Sequence, residues 1–331
     1  MACVVFGHQA IVIVCCTSAA WESLHTDAME TNGSQVGHIP VLADTLIEQI
    51  SIPPDGVMVD ATIGHGGHAY LFGRTMSEDG LIVGLDIDPA SLEVARERLR
   101  GLACKTALLH ANFSEMADQL RQLDIESADF ILADLGLCSA QLSDPERGLS
   151  FSTNMPLDMR IDQRLETTAA DIVNRADEKS LADLIYEFGQ DRASRRIARF
   201  IVKHREREEI TTTAQLAEIV RRALARPKQK KRYRMHPATR TFQALRIAVN
   251  NELENLRSLL TDASRLLRPG GYLAVISFHS LEDKLVKEDF KDNKSAKIYE
   301  VLTKKPIQAS RQEVLENRRA RSAKLRIARK R

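Results

Sequence analysis

The sequence predicts an α/β fold in which a doubly wound parallel sheet is interrupted by an inserted helical subdomain. Two observations carry this expectation. Short apolar runs of strand length alternate with helical segments, which implies parallel strands covered by helices on both faces. Between the fourth and fifth runs, about a hundred residues with helical periodicity take the place of a short connection.

The elements follow in order. Residues 57–62 form the first apolar run, and the loop "GHGGH" leads from it into a helix over 69–76. "LIVGLDID" (81–88) is a second strand ending in two acids. Pro89 and Ser91 open the helix behind it, since proline suits a first helical turn and serine a helix start. "TALLHANF" (106–113) is a third strand and "ADFILADLG" (128–136) a fourth. The interruption, 144–240, contains "AADIVNRADEKSLADLIYEFG", "RASRRIARFIVKHRE" and "TAQLAEIVRRALA", all with helical spacing. "NELENLRSLLTDASRLL" is a helix that precedes the fifth strand, "GGYLAVISFHS" (270–280).

Length and composition are those of one large folded domain with an insertion: 331 residues, 44% hydrophobic and 28% charged. The net charge of +2 hides uneven spacing of the bases. They crowd into "RPKQKKRYRMHPATR" (226–240) and the C-terminal "RRARSAKLRIARKR", which favours a polyanionic partner. Five cysteines (Cys3, Cys15, Cys16, Cys104, Cys138) contain no CxxC pair, consistent with a reducing cytoplasm and with neither a disulfide framework nor a zinc site. Residues 1–36 begin with an apolar stretch that has no basic residue before it and is too short for a membrane span. They are expected to be a disordered or spurious extension, with Met29 as an alternative start.

In a doubly wound sheet a ligand lies beyond the carboxyl ends of the strands. Gly64, Gly66 and Gly67 would let backbone approach it, Asp86 at the second strand tip would hold ribose hydroxyls, and Phe113 could stack on adenine. Asp134 ends the fourth strand, where a reacting group would sit. Each feature alone fits any nucleotide cofactor, and Gly64-x-Gly66-x-x-Ala69 satisfies a loose dinucleotide pattern. No carboxylate or third histidine lies at compatible spacing from His65 and His68, so no metal is expected there.

"GHGGH", "DLGLCSAQLSDPERGLSF", "PLDMR", "HPATRTFQALRIAVNNELENL", "ISFHSLEDKLVK" and "RARSAKLRIA" together resemble the ribosomal RNA small subunit methyltransferase H family, also called MraW, from about His38 to the C-terminus. The resemblance implies a class I methyltransferase fold that uses S-adenosylmethionine to methylate the N4 amine of a cytidine in the decoding centre of 16S rRNA. It implies cofactor contacts at Gly66, Gly67, His68, Asp86, Phe113, Asp134 and Gln141. The cofactor-binding domain would comprise 37–143 and 241–331, with 144–240 as an RNA-recognising insert. The sequence departs from the family at Leu137 and Cys138, at Arg318 where proline is usual, and in a short segment between Phe290 and Ile307.

The amine of cytosine is a poor nucleophile, so alignment with the sulfonium methyl should supply most of the acceleration. Asp134 is the candidate catalytic group, orienting either the amine or the methyl donor; the familiar Asp/Asn-Pro-Pro-aromatic string is absent. His68 is either a helix-start packing group or a cofactor contact, and His279 either a satisfied strand-end histidine or a neighbour of the target base. Lys228, Lys230, Lys231 and Arg232 are candidates for contact with the rRNA backbone. Partners would be 16S rRNA or the small subunit, with no membrane; monomer and homodimer both stay open. Rival readings are a noncatalytic rRNA-binding assembly factor and an NAD-dependent oxidoreductase.

Overall fold

A computed structural model describes residues 40–137, 141–142, 144–151, 153–225 and 236–331 of the chain. Four parallel strands come first: β1 (Val57–Asp60), β2 (Leu81–Asp86), β3 (Lys105–His110) and β4 (Ala128–Asp134). β5 (Leu267–Ser277) lies beside β4, and two strands unforeseen from the sequence, β6 (Tyr299–Val301) and β7 (Lys324–Lys330), complete the sheet. Its order is β3-β2-β1-β4-β5-β7-β6, and β7 runs antiparallel to both neighbours.

Successive side chains on a strand point to opposite faces, so each apolar strand feeds two cores. Met58, Ile82, Phe130, Leu132 and Ile276 face one layer. There they meet α1 (Ala43–Gln49), α2 (Gly67–Gly73) and α3 (Pro89–Leu99) through Leu46, Phe72, Ala95 and Leu99. Val59, Val83, Leu85, Ile131 and Val275 face the other. Its cover is α4 (Met116–Gln122), α10 (Glu252–Leu266) and α11 (Ser280–Ser295), through Leu120, Leu259 and Phe290.

Among the described residues, the interruption holds five helices: α5 (Ala169–Arg175), α6 (Glu178–Gly189), α7 (Ser194–Arg205), α8 (Thr213–Leu224) and α9 (Thr239–Val249). Their apolar faces share a third core containing Val173, Ile185, Ile197, Leu216 and Leu245. Phe242, Leu245 and Val249 of α9 belong to this core, so the helical cluster reaches past residue 240.

Several boundaries differ from expectation. Phe113 does not end β3; it opens a 3-10 turn, Phe113–Glu115, capped by Asn112, whose side chain accepts from Ser114 N at 2.9 Å. The basic C-terminus, read as favouring a polyanionic partner, also contributes a strand to the sheet, while Arg318, Arg321, Arg329 and Arg331 stay exposed. Leu325 and Ile327 of β7 are fully buried, and buried Arg326 pairs with Asp283 at 2.7 Å.

Candidate active site

Parallel register sets four acids along one edge of the sheet. Asp60 ends β1 opposite Gly84 and Leu132, Asp86 ends β2 opposite His110, and Asp134 ends β4 opposite Ile276. Asp88, just past β2, starts α3 and accepts from Ser91 Oγ at 2.8 Å.

The glycine loop fits between these tips. Gly64 and Gly66 have φ of 50° and 73°, a backbone region that favours glycine. Gly64 N donates to Asp86 Oδ2 at 2.9 Å, tying the loop to the second strand. The closeness at Gly66 and Gly67 is to protein. A side chain at Gly66 would touch Ala95 at 3.4 Å, and one at Gly67 would press on Pro40 at 2.7 Å.

A cavity opens over the tips. Gly64, Asp86, Phe113, Asp134 and Gln141 line it, along with Thr62 and Leu135. Gly66, Gly67 and His68 stand behind this wall. His68 is buried, its Nε2 lies 3.6 Å from Asp134 Oδ2, and neither ring nitrogen has a hydrogen-bond partner among the described residues. Lys228, Lys230, Lys231 and Arg232 lie outside the described residues, as does Cys138.

Burial shapes the electrostatics. Asp60, 1% exposed, has its carboxyl pushed up to about 7, mainly by loss of water, with His68 and the Thr62 amide opposing. Burial likewise raises Asp86 to about 6 against amides from Asp88 and Gly64. Asp134 accepts from Gly136 N at 3.2 Å, and its own amide donates to Thr62 Oγ1 at 2.7 Å. That second bond locks the β1 tip to the β4 tip.

The insert closes over the cavity through polar straps. Arg147 donates to Asp144 at 2.9 Å, to Asp88 at 3.1 Å and to the Ile161 carbonyl at 3.0 Å. Arg164 bridges Asp162 and Glu115 at 2.8 and 2.9 Å. Asn250 accepts from Ile161 N at 2.7 Å and donates to Met159 O at 2.8 Å, holding Ile161 against the cavity. Asp158 and Arg160, both in the "PLDMR" string, form a two-bond pair with each other at 2.7 and 2.8 Å.

Sequence reasoning missed another part of the cavity wall, formed by Arg246, Glu252 and Glu282. Arg246 forks onto Glu252 with bonds of 2.7 and 2.9 Å. Burial opposes both charges, yet mutual attraction raises the arginine and holds the carboxyl below its ordinary range. His279 caps α11: its Nδ1 accepts from Glu282 N at 3.3 Å, while its Nε2 lies 3.0 Å from Glu282 Oε1 and 3.9 Å from Glu252. Burial lowers this histidine, but the closer carboxylates prevail and push it up to about 9. The only signal in the sequence was the His279-x-x-Glu282 spacing, a capping pattern. Glu252, His279 and Glu282 bring ligand atoms within 4.8 Å of one another, but the guanidinium fork occupies both Glu252 oxygens and repels a metal cation.

A sheet of this order with an antiparallel seventh strand, a glycine loop after β1, acids at the β2 and β4 tips and orphaned histidine nitrogens beside the cavity define a class I, S-adenosylmethionine-dependent methyltransferase. Residues 35–331 match the MraW methylase family. The chain is similar to proteins named ribosomal RNA small subunit methyltransferase H. That of Koribacter versatilis is 46% identical over 301 residues, covering 89% of this chain and 94% of that protein. That of Geobacter sulfurreducens is 46% identical over 308 residues, covering 88% and 98%. That of Cyanothece sp. is 47% identical over 291 residues, covering 88% and 94%. The chain belongs to the MraW methylase family.

Proposed function

We propose that this enzyme methylates the N4 amine of a cytidine in the decoding centre of 16S rRNA, in the cytoplasm, acting on the rRNA or the small subunit. The cavity across the strand tips carries the reading, because it places Asp86, Phe113, Gln141 and Asp134 around one crevice. Its relatives' names supply the substrate class. No helix among the described residues is long and apolar enough to cross a membrane.

Asp86 has carboxylate lone pairs left for ribose hydroxyls after accepting the Gly64 and Asp88 amides. Phe113 offers an aromatic face for adenine. When bound, S-adenosylmethionine supplies an electrophilic methyl whose S–C bond breaks as the N4–C bond forms. Asp134, on the cavity wall at the β4 tip, would accept an N–H of the incoming amine, turn the nitrogen toward that methyl and take the proton displaced as the N–C bond forms. The helical insert supplies RNA recognition, with Lys228, Lys230, Lys231 and Arg232 on phosphates. A cytidine must leave its stack to reach such a crevice.

The test is nucleoside mass spectrometry of 16S rRNA from cells with and without the gene. N4-methylcytidine should vanish with the gene and return with the wild-type copy. Its persistence in the deletion would overturn the assignment.

A further inference from the structure

The proposed cofactor contacts leave one set of charged groups in the cavity unused. Arg246 and Glu252 lie deep between α9 and α10, yet their side chains stay 22% and 16% exposed because they face the cavity. The β5 tip connects them to the reaction end. Leu135 N donates to the Ile276 carbonyl at 3.0 Å, and His279, two residues beyond Ser277, lies 3.9 Å from Glu252. A deep ion pair adds little net stability, since desolvation offsets its attraction. Its placement on a cavity wall therefore points to recognition.

The pair has a definite hydrogen-bond pattern. Arg246 Nη2 donates to Glu252 Oε2 at 2.9 Å, and Arg246 Nε to Oε1 at 2.7 Å. A guanidinium has five N–H groups and a carboxylate about four acceptor positions, so each retains unused capacity. Nη2 and Oε2 thus offer a donor and an acceptor side by side. The cytosine edge has the complement, an acceptor at N3 beside a donor at N4. Uracil has the reverse, a donor at N3 beside an acceptor at O4, and would meet like with like.

We propose that Arg246 and Glu252 read the acceptor base, Arg246 donating to cytosine N3 and Glu252 accepting one N–H of the N4 amine, so that this pair selects cytosine over uracil. The proposal rests on the cytidine reading above. His279, itself 3.0 Å from Glu282, flanks Glu252 at 3.9 Å, and Asp134 remains for the second amine proton. With both N–H groups held, the nitrogen lone pair is directed out of the ring plane toward the methyl.

The experiment compares the full-length wild type with Glu252→Gln on small-subunit rRNA, reading N4-methylcytidine formation and, separately, calorimetric affinity for S-adenosylmethionine. The variant should lose about 10- to 100-fold in kcat/KM for RNA, the scale of one base-edge contact, with cofactor affinity unchanged. Equal turnover, or a parallel loss of cofactor affinity, overturns the base-reading role. Because Glu252→Gln leaves Arg246 short of its partner and folding could suffer, a second measurement uses the wild type alone. Bound to S-adenosylhomocysteine, it should hold an RNA with cytidine at the target position at least about fivefold tighter than one with uridine. Equal affinities refute the proposal whatever the variant does. If the wild type makes no N4-methylcytidine at all, the failure belongs to the function itself; if only the discrimination is missing, it belongs to this pair.

Discussion

Asp60 and Asp134 end neighbouring strands but meet opposite surroundings. Asp134 opens into the cavity with 21% of its side chain exposed, whereas Asp60 lies beneath at 1%. In the role proposed for Asp134, replacing it with alanine removes an oriented acceptor at the reacting atoms. Methyl transfer should fall by about 10²- to 10³-fold, the scale for one preorganised polar group, while the melting temperature holds. Near-normal turnover would remove Asp134 from the site. Asp60 makes a different prediction. Its carboxyl titrates near 3.8 when unfolded and near 7 when folded, so between those values the folded state holds the extra proton. That contribution to stability is complete below the lower value and is lost as pH rises through the upper one. Asp60→Asn has no proton to lose. In melts of the ligand-free protein it should gain on the wild type from about pH 5 to about pH 8, by several degrees at ~2–4 °C per kcal/mol. A difference that stays flat over that range would contradict burial as the cause.

Among the elements, the glycine loop and the strand tips were legible in the sequence for physical reasons. Asp86 and Asp134 end strongly apolar runs, and a parallel sheet must bring such ends to one edge. The loop glycines were legible as tight turns; what the sequence did not show is that a side chain at Gly66 or Gly67 would also meet protein, at Ala95 and Pro40. Gly84 shows the same packing demand inside β2. A Cβ there would lie 2.1 Å from Ile63 and 2.9 Å from Leu108. Because Ile63 leads directly into the loop, Gly84→Ala should cost about 1–3 kcal/mol in denaturant melts and weaken S-adenosylmethionine binding in calorimetry. Unchanged stability would mean that Ile63 relaxes freely. Strand β7 was hidden by its charge. "KLRIARK" alternates as a strand should, but its basic residues read as a solvated tail, and Asp283, which neutralises Arg326, lies 43 positions away.

At the scale of the whole molecule, the insert and the sheet are joined where the chemistry would occur. Arg147 and Arg164 cross from the insert to Asp88 and Glu115. Arg246 and Glu252 meet across the junction of α9 and α10, and only the folded chain shows that their pair lines the same cavity as Asp134. No local spacing encodes that convergence. RNA affinity should be separable from this junction. Neutralising Lys228, Lys230, Lys231 and Arg232 together should lower the salt slope of RNA binding by about 3 and leave S-adenosylmethionine affinity intact. An unchanged slope would move the phosphate contacts elsewhere.

The central claim is that the methyl donor lies across the tips of β1, β2 and β4. A crystal structure with S-adenosylhomocysteine tests it most directly. The ribose should lie within hydrogen-bond reach of Asp86, the adenine against Phe113 and the sulfur toward Asp134. Density for the ligand elsewhere, with this crevice empty, would contradict the claim.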